Sequence, residues 1–127
     1  MTLRFDPDGG TIVVTAVITG IAAEAAARMA LDTGANMTML NSELASNVGY
    51  DLKAPERIVR IATASGIVRT PQHAIRRVVA LGQQRLNFPI ICQSPPRGVS
   101  VDGLLGLDFF RNQRLTIDFR EGLITLD

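Results

Sequence analysis

Residues 29–38, "MALDTGANMT", place an aspartate between an apolar run and a turn that contains glycine. The apolar residues 29–31 deliver Asp32 to the turn, and the mostly apolar residues 37–40 carry the chain away from it. An aspartate in this position can simply close a turn, because its carboxylate accepts local backbone hydrogen bonds and glycine adopts positive φ. The same carboxylate can also belong to a chemical site, so the rest of the chain has to decide between the two.

The composition predicts one globular domain over residues 1–127. The 127 residues are 46% hydrophobic and 20% charged, which is neither fibrous nor disordered composition. Thirteen Lys and Arg against twelve Asp and Glu leave a formal net charge of +1. Because no global field attracts the protein to nucleic acid or to a membrane surface, we expect neither as a partner.

Cysteine and histidine usage argues against a disulfide and a metal site. Cys92 is the single cysteine, so an intrachain disulfide is impossible, and its apolar surroundings favour a buried, inert thiol over a reactive one. His73 is the single histidine and no CxxC motif occurs, so we expect no metal and no other cofactor.

The expected location follows from two missing signals. The N-terminus lacks the pattern of a signal peptide, and no stretch approaches the roughly 18 apolar residues of a membrane span. The expected location is cytoplasmic, or that of a soluble domain from a longer protein whose targeting segment is not in this sequence.

Short runs rich in β-branched residues predict a mainly β domain built from hairpins. The last two runs, joined at residues 120–122, are typical of a hairpin. The predicted strands are residues 11–20, 57–66, 67–70, 74–82, 85–92, 114–119 and 123–126. Arg57, Arg60, Arg76 and Arg77 alternate with apolar residues and indicate a solvated sheet face, and His73 is predicted in a loop or at a strand edge.

Two short helices are predicted, and a third segment is ambiguous. Residues 41–49 have Asn41 or Ser42 as an N-cap and Gly49 past the end, and residues 107–113 offer Asp108 as an N-cap. Intrinsic propensity alone also favours a helix for the alanine-rich residues 20–30. Residues 93–100, "QSPPRGVS", are predicted to be one exposed loop.

A second stretch, "VDGLLGLDFF" at residues 101–110, lies about seventy residues after Asp32 and has an apolar pair followed by glycine and a short helix. Together the two stretches resemble the retropepsin family, the single-domain aspartic proteases of retroviral type. That family has a D-T/S-G-A loop, then a flap hairpin, then an apolar-apolar-Gly loop and a short helix. The resemblance covers about residues 11–126, and "DTGANMTML" is most similar to the cellular and bacterial branches.

The resemblance implies a role for each residue of the first loop. Asp32 would be the catalytic aspartate, and the Thr33 hydroxyl would tie its loop to the loop of a partner subunit. Gly34 would present its backbone N–H to the carboxylate, and Ala35 would lie beside the substrate backbone. The implied fold is a mainly β, closed barrel with a flap hairpin and one or two short helices.

The resemblance also implies the surroundings of that loop. Leu104, Leu105 and Gly106 would brace it, with Asp108 as a helix cap and not a catalyst. Residues 60–71 would form the flap, whose tip at Ala64, Ser65 and Gly66 would bind substrate main chain. A strand through residues 25–31 would aim Asp32 inward, which contradicts the helix that propensity favours.

Peptide hydrolysis without a metal or a covalent intermediate needs two carboxylates. One takes a proton from water while the other donates one to the substrate. At about 3 Å separation the two cannot both ionise, so they share a proton and supply both acid and base. A homodimer with two Asp32 residues at its two-fold axis meets this need. Asp102 as the second carboxylate of one chain is the weaker alternative, because "VDGLLG" lacks the T/S-G pattern and the chain is too short for two lobes.

Other interpretations of these motifs remain. A phosphoryl-accepting aspartate would need further acidic or lysine groups and a parallel α/β sheet, and "FDPDGG" at residues 5–10 lacks the later ligands of a calcium loop. The serious rival is a dimer of the same fold that binds peptides or proteins without cutting them. The favoured prediction is a homodimeric aspartic endopeptidase that acts on a peptide or protein substrate.

Overall fold

The structure, a computed structural model, describes residues 1–94, 98 and 100–127. Within these residues it is mainly β, with ten strands and two short helices. In chain order the elements are β1 (Thr2–Arg4), β2 (Val13–Thr19), β3 (Glu24–Leu31), β4 (Met39–Leu40), α1 (Ser42–Asn47), β5 (Arg57–Thr63), β6 (Gly66–Ala80), β7 (Gln83–Cys92), β8 (Gly103–Leu105), α2 (Leu107–Phe110), β9 (Leu115–Asp118) and β10 (Leu123–Leu126).

Six of the strands close into a barrel. They are hydrogen-bonded in the order β2, β3, β8, β4, β7, β6, and β2 pairs again with β6 to complete the ring. Strand β5 pairs with β6 outside this ring, so residues 57–71 form an antiparallel hairpin, called the flap hairpin below. The predicted mainly β, closed-barrel fold with two short helices is confirmed.

The core fills the barrel because strand residues alternate between its inside and its outside. In β2 the alternating Val14, Ala16 and Ile18 are buried, and in β3 Ala27 and Met29 are buried. Burying such side chains contributes about 25 cal/mol for each Å² of apolar surface removed from water. Large side chains that are fully buried complete the core: Leu40, Ile75, Val78, Ile90, Leu105 and Phe109.

A second, three-stranded sheet joins the two ends of the chain. Strand β10 lies between β1 and β9, all antiparallel, with Thr2 opposite Thr125. Ile124 and Leu126 of the central strand are buried and belong to the same core as the barrel. The hairpin predicted for the last two strands is therefore present, whereas β1 was not predicted.

The alanine-rich segment is strand β3, so the helix that propensity favours at residues 20–30 is wrong. Strand β3 pairs along its length with β2 and at its end with β8, and it buries Ala27, Met29 and Ala30 in the core. Helix propensities differ by less than about 1 kcal/mol per residue, and sheet pairing with core burial outweighs them. The strand expected from the family resemblance is confirmed.

Strand β6 (Gly66–Ala80) is longer than predicted, because it joins the predicted strands at residues 67–70 and 74–82, and it ends two residues before the second predicted boundary. Pro71 lies inside it, opposite Ile58, and proline is tolerated there because β7 begins to pair only at Gln72. His73 is not in a loop or at an edge, because it lies within β6, opposite Ile90, and is 5% exposed.

The predicted end signals of α1 are confirmed. Asn41 is its N-cap, and the Asn41 Oδ1 accepts hydrogen bonds from the backbone N–H of Glu43 at 2.8 Å and of Leu44 at 3.1 Å. Gly49 follows the helix with a φ of 110°. The predicted exposed loop at residues 93–100 lies partly outside the described residues, at 95–97 and 99. In the described part of the chain, no helix is long and apolar enough to cross a membrane.

Strand β8 is held between β3 and β4, and this close packing requires Gly103. A Cβ atom added at Gly103 would overlap the carbonyl oxygen of Met39 and lie 2.9 Å from the Cε of Met29. Because the first contact is with backbone, a larger residue cannot be accommodated by a side-chain rotation. The spacing of the strands that carry Asp32 and Leu105 therefore depends on a residue without a side chain.

We expect Gly103→Ala to lower the free energy of unfolding by about 3 kcal/mol, because the added methyl group forces the strands apart. Urea denaturation measures the change. Gly10→Ala is the matched control, since a Cβ there meets nothing within 4 Å. Equal stabilities of the two variants would contradict the close packing described for β8.

Candidate active site

Asp32 lies at the end of β3, where the chain leaves the barrel in a tight turn. Its backbone N–H donates to the carbonyl of Leu105 at 3.0 Å, which fixes the start of the turn to β8. The Gly34 N–H donates to the Asp32 Oδ1 at 2.9 Å, and the Ala35 N–H donates to the Asp32 carbonyl at 3.3 Å. The carboxylate is thus oriented by its own loop, as the resemblance implied for Gly34.

The turn leaves the aspartate partly accessible. Asp32 and Ala35 are half-buried, whereas Thr33 and Gly34 are exposed. The loop therefore presents a held carboxylate at the surface, with the Thr33 hydroxyl exposed beside it.

The predicted supporting loop lies directly beneath this turn. Strand β8 runs parallel to β3 and pairs Leu104 with Ala30 and Leu105 with Leu31. Past β8, the Leu107 N–H donates to the Ala35 carbonyl at 2.8 Å. Together with the bond between Asp32 and Leu105, this contact holds both ends of the turn.

Gly106 is required by the closeness of the two loops. A Cβ atom at Gly106 would lie 2.7 Å from the carbonyl carbon of Met37 and 2.9 Å from the Ala35 carbonyl oxygen. Any other residue would push the Asp32 loop away from β8. The structure therefore brings Leu104, Leu105 and Gly106 to the Asp32 loop.

The brace also includes Thr38 and Asp108, which the sequence did not connect. The Asp108 Oδ1 accepts from the Thr38 N–H at 2.9 Å and from the Thr38 hydroxyl at 2.7 Å. The same hydroxyl accepts from the Gly106 N–H at 3.1 Å. Thr38 is completely buried and Asp108 is half-buried, so the bond from Gly106 to Thr38 is buried and the bonds to Asp108 are partly buried. They connect the strand that leaves the Asp32 loop to the segment that follows β8.

The prediction that Asp108 caps α2 is wrong. Gly106 occupies the N-cap position and Asp108 lies in the first turn of a helix that ends at Phe110, three residues earlier than predicted. The carboxylate accepts hydrogen bonds from Thr38 and not from the start of its own helix. The only sequence feature that points to this contact is Thr38, the last residue of "DTGANMT". Its partner Asp108 lies seventy residues away, and such a distant contact cannot be inferred from one sequence without covariation.

The flap hairpin lies across from residues 34–37, where the chain leaves the Asp32 turn. A concavity of about 350 Å³ is lined on one side by residues 34–37 with Met39 and Ile91, and on the other by Arg60, Ile61 and Ala62. On the side of the flap hairpin, the lining residues belong to β5 and lie a few residues before the predicted tip. The tip residues Ala64, Ser65 and Gly66 do not line the concavity. An extended chain could lie here with apolar contacts on two sides.

The turn at the tip is hydrogen-bonded within itself. Thr63 pairs with Gly66 across a two-residue loop formed by Ala64 and Ser65. The Thr63 hydroxyl donates to the Gly66 carbonyl at 2.7 Å and accepts from the Ser65 N–H at 3.3 Å. All four residues are exposed, so their remaining main-chain groups are accessible.

Cys92 lies in the barrel wall and not in the site. It is 2% exposed, and burial raises the pKa of its thiol to about 11 despite a hydrogen bond with the His73 backbone that opposes the shift. Because the pKa of Cys92 is higher in the folded state than in the unfolded state, its contribution to stability is fully present below the unfolded-state pKa. This contribution is lost as the pH rises through the folded-state pKa. The thiol is therefore protonated at neutral pH, as a buried inert cysteine should be.

Arg85 supports the second helix from outside. Its guanidinium donates to the Phe109 carbonyl at 2.7 Å and to the Gln113 Oε1, and lies 4.6 Å from the centre of the Phe109 ring. Partial burial lowers the pKa of Arg85 from its usual value, but the group stays charged at neutral pH. Since the cation lies at the C-terminus of α2, it also complements the helix dipole.

Comparison with known proteins identifies the class. The family model described as aspartyl protease matches residues 14–109, which include the Asp32 loop, the flap hairpin, β8 and most of α2. The chain belongs to the aspartyl protease family. A retropepsin-like aspartic protease from Rickettsia conorii has a similar structure, with a TM-score of 0.73 over 99% of this chain and 88% of the other, at 21% sequence identity. No curated protein matches the chain.

We expect Thr38→Val to lower the free energy of unfolding by about 2 kcal/mol, because the buried Gly106 N–H loses its acceptor and the Asp108 carboxylate loses one donor. Thermal or urea unfolding measures this loss. Thr15→Val, at an exposed position of β2, removes the same hydroxyl where it is solvated and should change stability by less than about 0.5 kcal/mol. A stable Thr38→Val protein would show that the brace contributes little.

Proposed function

We propose that the chain is an aspartic endopeptidase of the retropepsin type, active as a homodimer in which two Asp32 carboxylates share the catalytic work. The observation that carries the proposal is the Asp32 turn. Its carboxylate accepts from the Gly34 N–H, and the turn is fixed to β8 and presented at the surface. Membership of the aspartyl protease family supports a protease-type function for the same residues.

The reaction follows from two such carboxylates facing each other. Like charges about 3 Å apart cannot both be ionised near neutral pH, so the pair holds one shared proton. The ionised carboxylate accepts a proton from a water molecule, which attacks the carbonyl carbon of the scissile amide. The protonated carboxyl donates to the carbonyl oxygen. Breakdown of the tetrahedral intermediate then moves a proton to the leaving nitrogen and restores the shared-proton state.

The remaining loop residues would position this pair. The exposed Thr33 hydroxyl would bond to the partner subunit's loop, and Ala35 would contact the substrate backbone. Leu104, Leu105 and Gly106 would act from below as the brace. The tip residues at 64–66 would hydrogen-bond an extended peptide in the manner of an added strand, and closure of the flap hairpin would exclude water.

A two-fold assembly is supported by the sheet that joins the chain ends. Within the described residues β9 pairs only with β10, so its outer edge presents unpaired backbone groups. Leu115 and Ile117 of this strand are half-buried, and Phe119 just beyond it is 64% exposed. An exposed strand edge with apolar neighbours favours pairing with another chain. A second copy of the same edge would satisfy it symmetrically.

We expect Asp32→Asn to reduce peptide cleavage by about a thousandfold or more, because an amide cannot act as the base or share the proton. A peptide library digested under mildly acidic conditions and read by mass spectrometry measures the loss. Asp8→Asn, at an exposed position, is the matched control and should cleave like wild type.

Two outcomes of that assay contradict the proposal. Cleavage by the wild type that persists in Asp32→Asn would exclude Asp32 as the catalyst. Tight peptide binding with no cleavage by either protein would instead favour the non-catalytic binder of the same fold.

A shared site also predicts dominant inhibition. If wild-type chains are refolded with about nine parts of Asp32→Asn chains, random pairing leaves about one-tenth of them in fully wild-type dimers, so activity per wild-type chain should fall about tenfold. Refolding with an unrelated protein is the control, and sedimentation at increasing concentration should reveal the two-chain species. A strictly monomeric protein with full activity, or activity unaffected by the excess, would refute the shared site.

A further inference from the structure

The charges of the chain are unevenly distributed. Residues 57–80, which form β5, its turn and β6, contain five arginines and no acidic residue. The rest of the chain has eight Lys and Arg against twelve Asp and Glu, a formal net charge of −4. All five arginines are exposed. A segment with a charge of +5 beside residues with a net charge of −4 creates a local field that the overall charge of +1 conceals.

Two of these arginines directly oppose each other. Arg60 of β5 and Arg69 of β6 are Cα partners in the register of the flap hairpin, so their side chains project from the same face. Like charges in this arrangement destabilise a strand pair. In the part of the chain that the structure describes, Arg114 forms an ion pair with Asp127 and the His73 Nδ1 lies 3.9 Å from the Glu56 Oε1, and neither contact relieves this repulsion.

Apolar side chains flank the arginine pair on the same face. Ile58 lies two residues before Arg60, and Ile67 lies two residues before Arg69. The four side chains line a concavity of about 550 Å³, here called the arginine surface. Ile58 is 51% exposed and Ile67 is 63% exposed, so both leave apolar surface uncovered beside the arginines.

The arginine surface adjoins the candidate active site without being part of its floor. Ile61, which lines the concavity beside the Asp32 loop, lies on the opposite face of β5 from Ile58. Arg60 lines both concavities, so the two are adjacent at this residue. A chain held on the arginine surface could therefore continue into the groove beneath the flap hairpin.

We infer that the arginine surface is an exosite that binds an acidic segment of the protein substrate, outside the residues that flank the scissile bond. The inference rests on the proposed protease function for the identity of its occupant. Carboxylates would neutralise Arg60 and Arg69 through charge-assisted hydrogen bonds, and apolar side chains between them would cover Ile58 and Ile67. The two exposed isoleucines favour a peptide over nucleic acid, whose backbone offers no apolar side chains.

Such binding has one consequence for the choice of substrate and one for the flap hairpin. Proteins with acidic stretches near an accessible cleavage site would be favoured, because the basic hairpin attracts them before the groove is engaged. The bound segment would also stabilise the flap hairpin by removing the repulsion between the two arginines. Affinity and flap order would therefore rise together.

The test is equilibrium binding to Asp32→Asn, so that it does not depend on catalysis. The probe is a fluorescein-labelled peptide of alternating Asp and Ile, and the comparison peptide has Asn in place of each Asp. Fluorescence anisotropy should give an affinity for the acidic peptide about tenfold higher at low salt, with the difference shrinking as ionic strength rises.

Arginine variants localise the binding. Arg60→Gln and Arg69→Gln should each weaken the acidic peptide about three- to fivefold and leave the neutral peptide unchanged. Arg77→Gln is the matched control, since it removes the same charge from the same strand, where β6 pairs with β2 and β7 of the barrel. A double Arg60→Glu, Arg69→Glu variant should lose the acidic peptide and gain affinity for a peptide of alternating Lys and Ile.

Several results would overturn the exosite. These are equal binding of acidic and neutral peptides, equal effects of Arg77→Gln and the flap variants, or tighter binding of single-stranded DNA than of the acidic peptide in a competition arm. Because binding is measured on the inactive variant, failure of the exosite is separable from failure of the protease. A protein that binds the acidic peptide but never cleaves would retain the exosite as a docking surface and reject the protease.

Discussion

The contact between the Asp32 loop and the segment around β8 is the constraint on which the rest of the structure depends. Thr38 and Asp108 are seventy residues apart, yet their hydrogen bonds and the bond from Asp32 to Leu105 join the two segments. Gly103 and Gly106 let the backbones approach closely enough for these bonds to form. The barrel order, with β8 between β3 and β4, is the large-scale result of the same contact.

This constraint explains how a short chain holds a carboxylate in a defined position. The Asp32 turn is half-exposed, so packing above it does not fix its position. It is held from below, through backbone hydrogen bonds at both ends and through the buried Thr38 directly before β4. Within the described residues, the β5 strand of the flap hairpin pairs only with β6.

Much of the fold could be predicted because its signals are local. The strand runs, the cap at Asn41 and the final hairpin follow from residue types and turns within a few positions. The alanine-rich β3 could not be predicted from propensity, since two neighbouring strands decide its conformation. The prediction of His73 in a loop or at a strand edge was wrong for a similar reason. Its side chain packs against Tyr50, which lies far from it in the sequence, with ring centres 5.3 Å apart.

The candidate site likewise contains residues that the sequence identifies and contacts that only the coordinates reveal. The motif residues from Asp32 to Ala35 and from Leu104 to Gly106 could be singled out from the sequence, and their catalytic and bracing roles stay predictions. The partnership of Thr38 with Asp108 needed coordinates, because either residue alone is compatible with a cap or a turn. The arginine surface needed the strand register, since the sequence shows Arg60 and Arg69 only as two charges nine residues apart.

The sheet that joins the chain ends affects how the protein would be assembled during synthesis. Among the described strands, β1 at residues 2–4 is synthesised first and its partner β10 at residues 123–126 is synthesised last. The strands from β2 to β7, by contrast, include the pairing of β2 with β6 and are available earlier. During co-translational folding, most of the barrel wall would thus form first. Strand β1 would remain without its sheet partner until β10 has been synthesised.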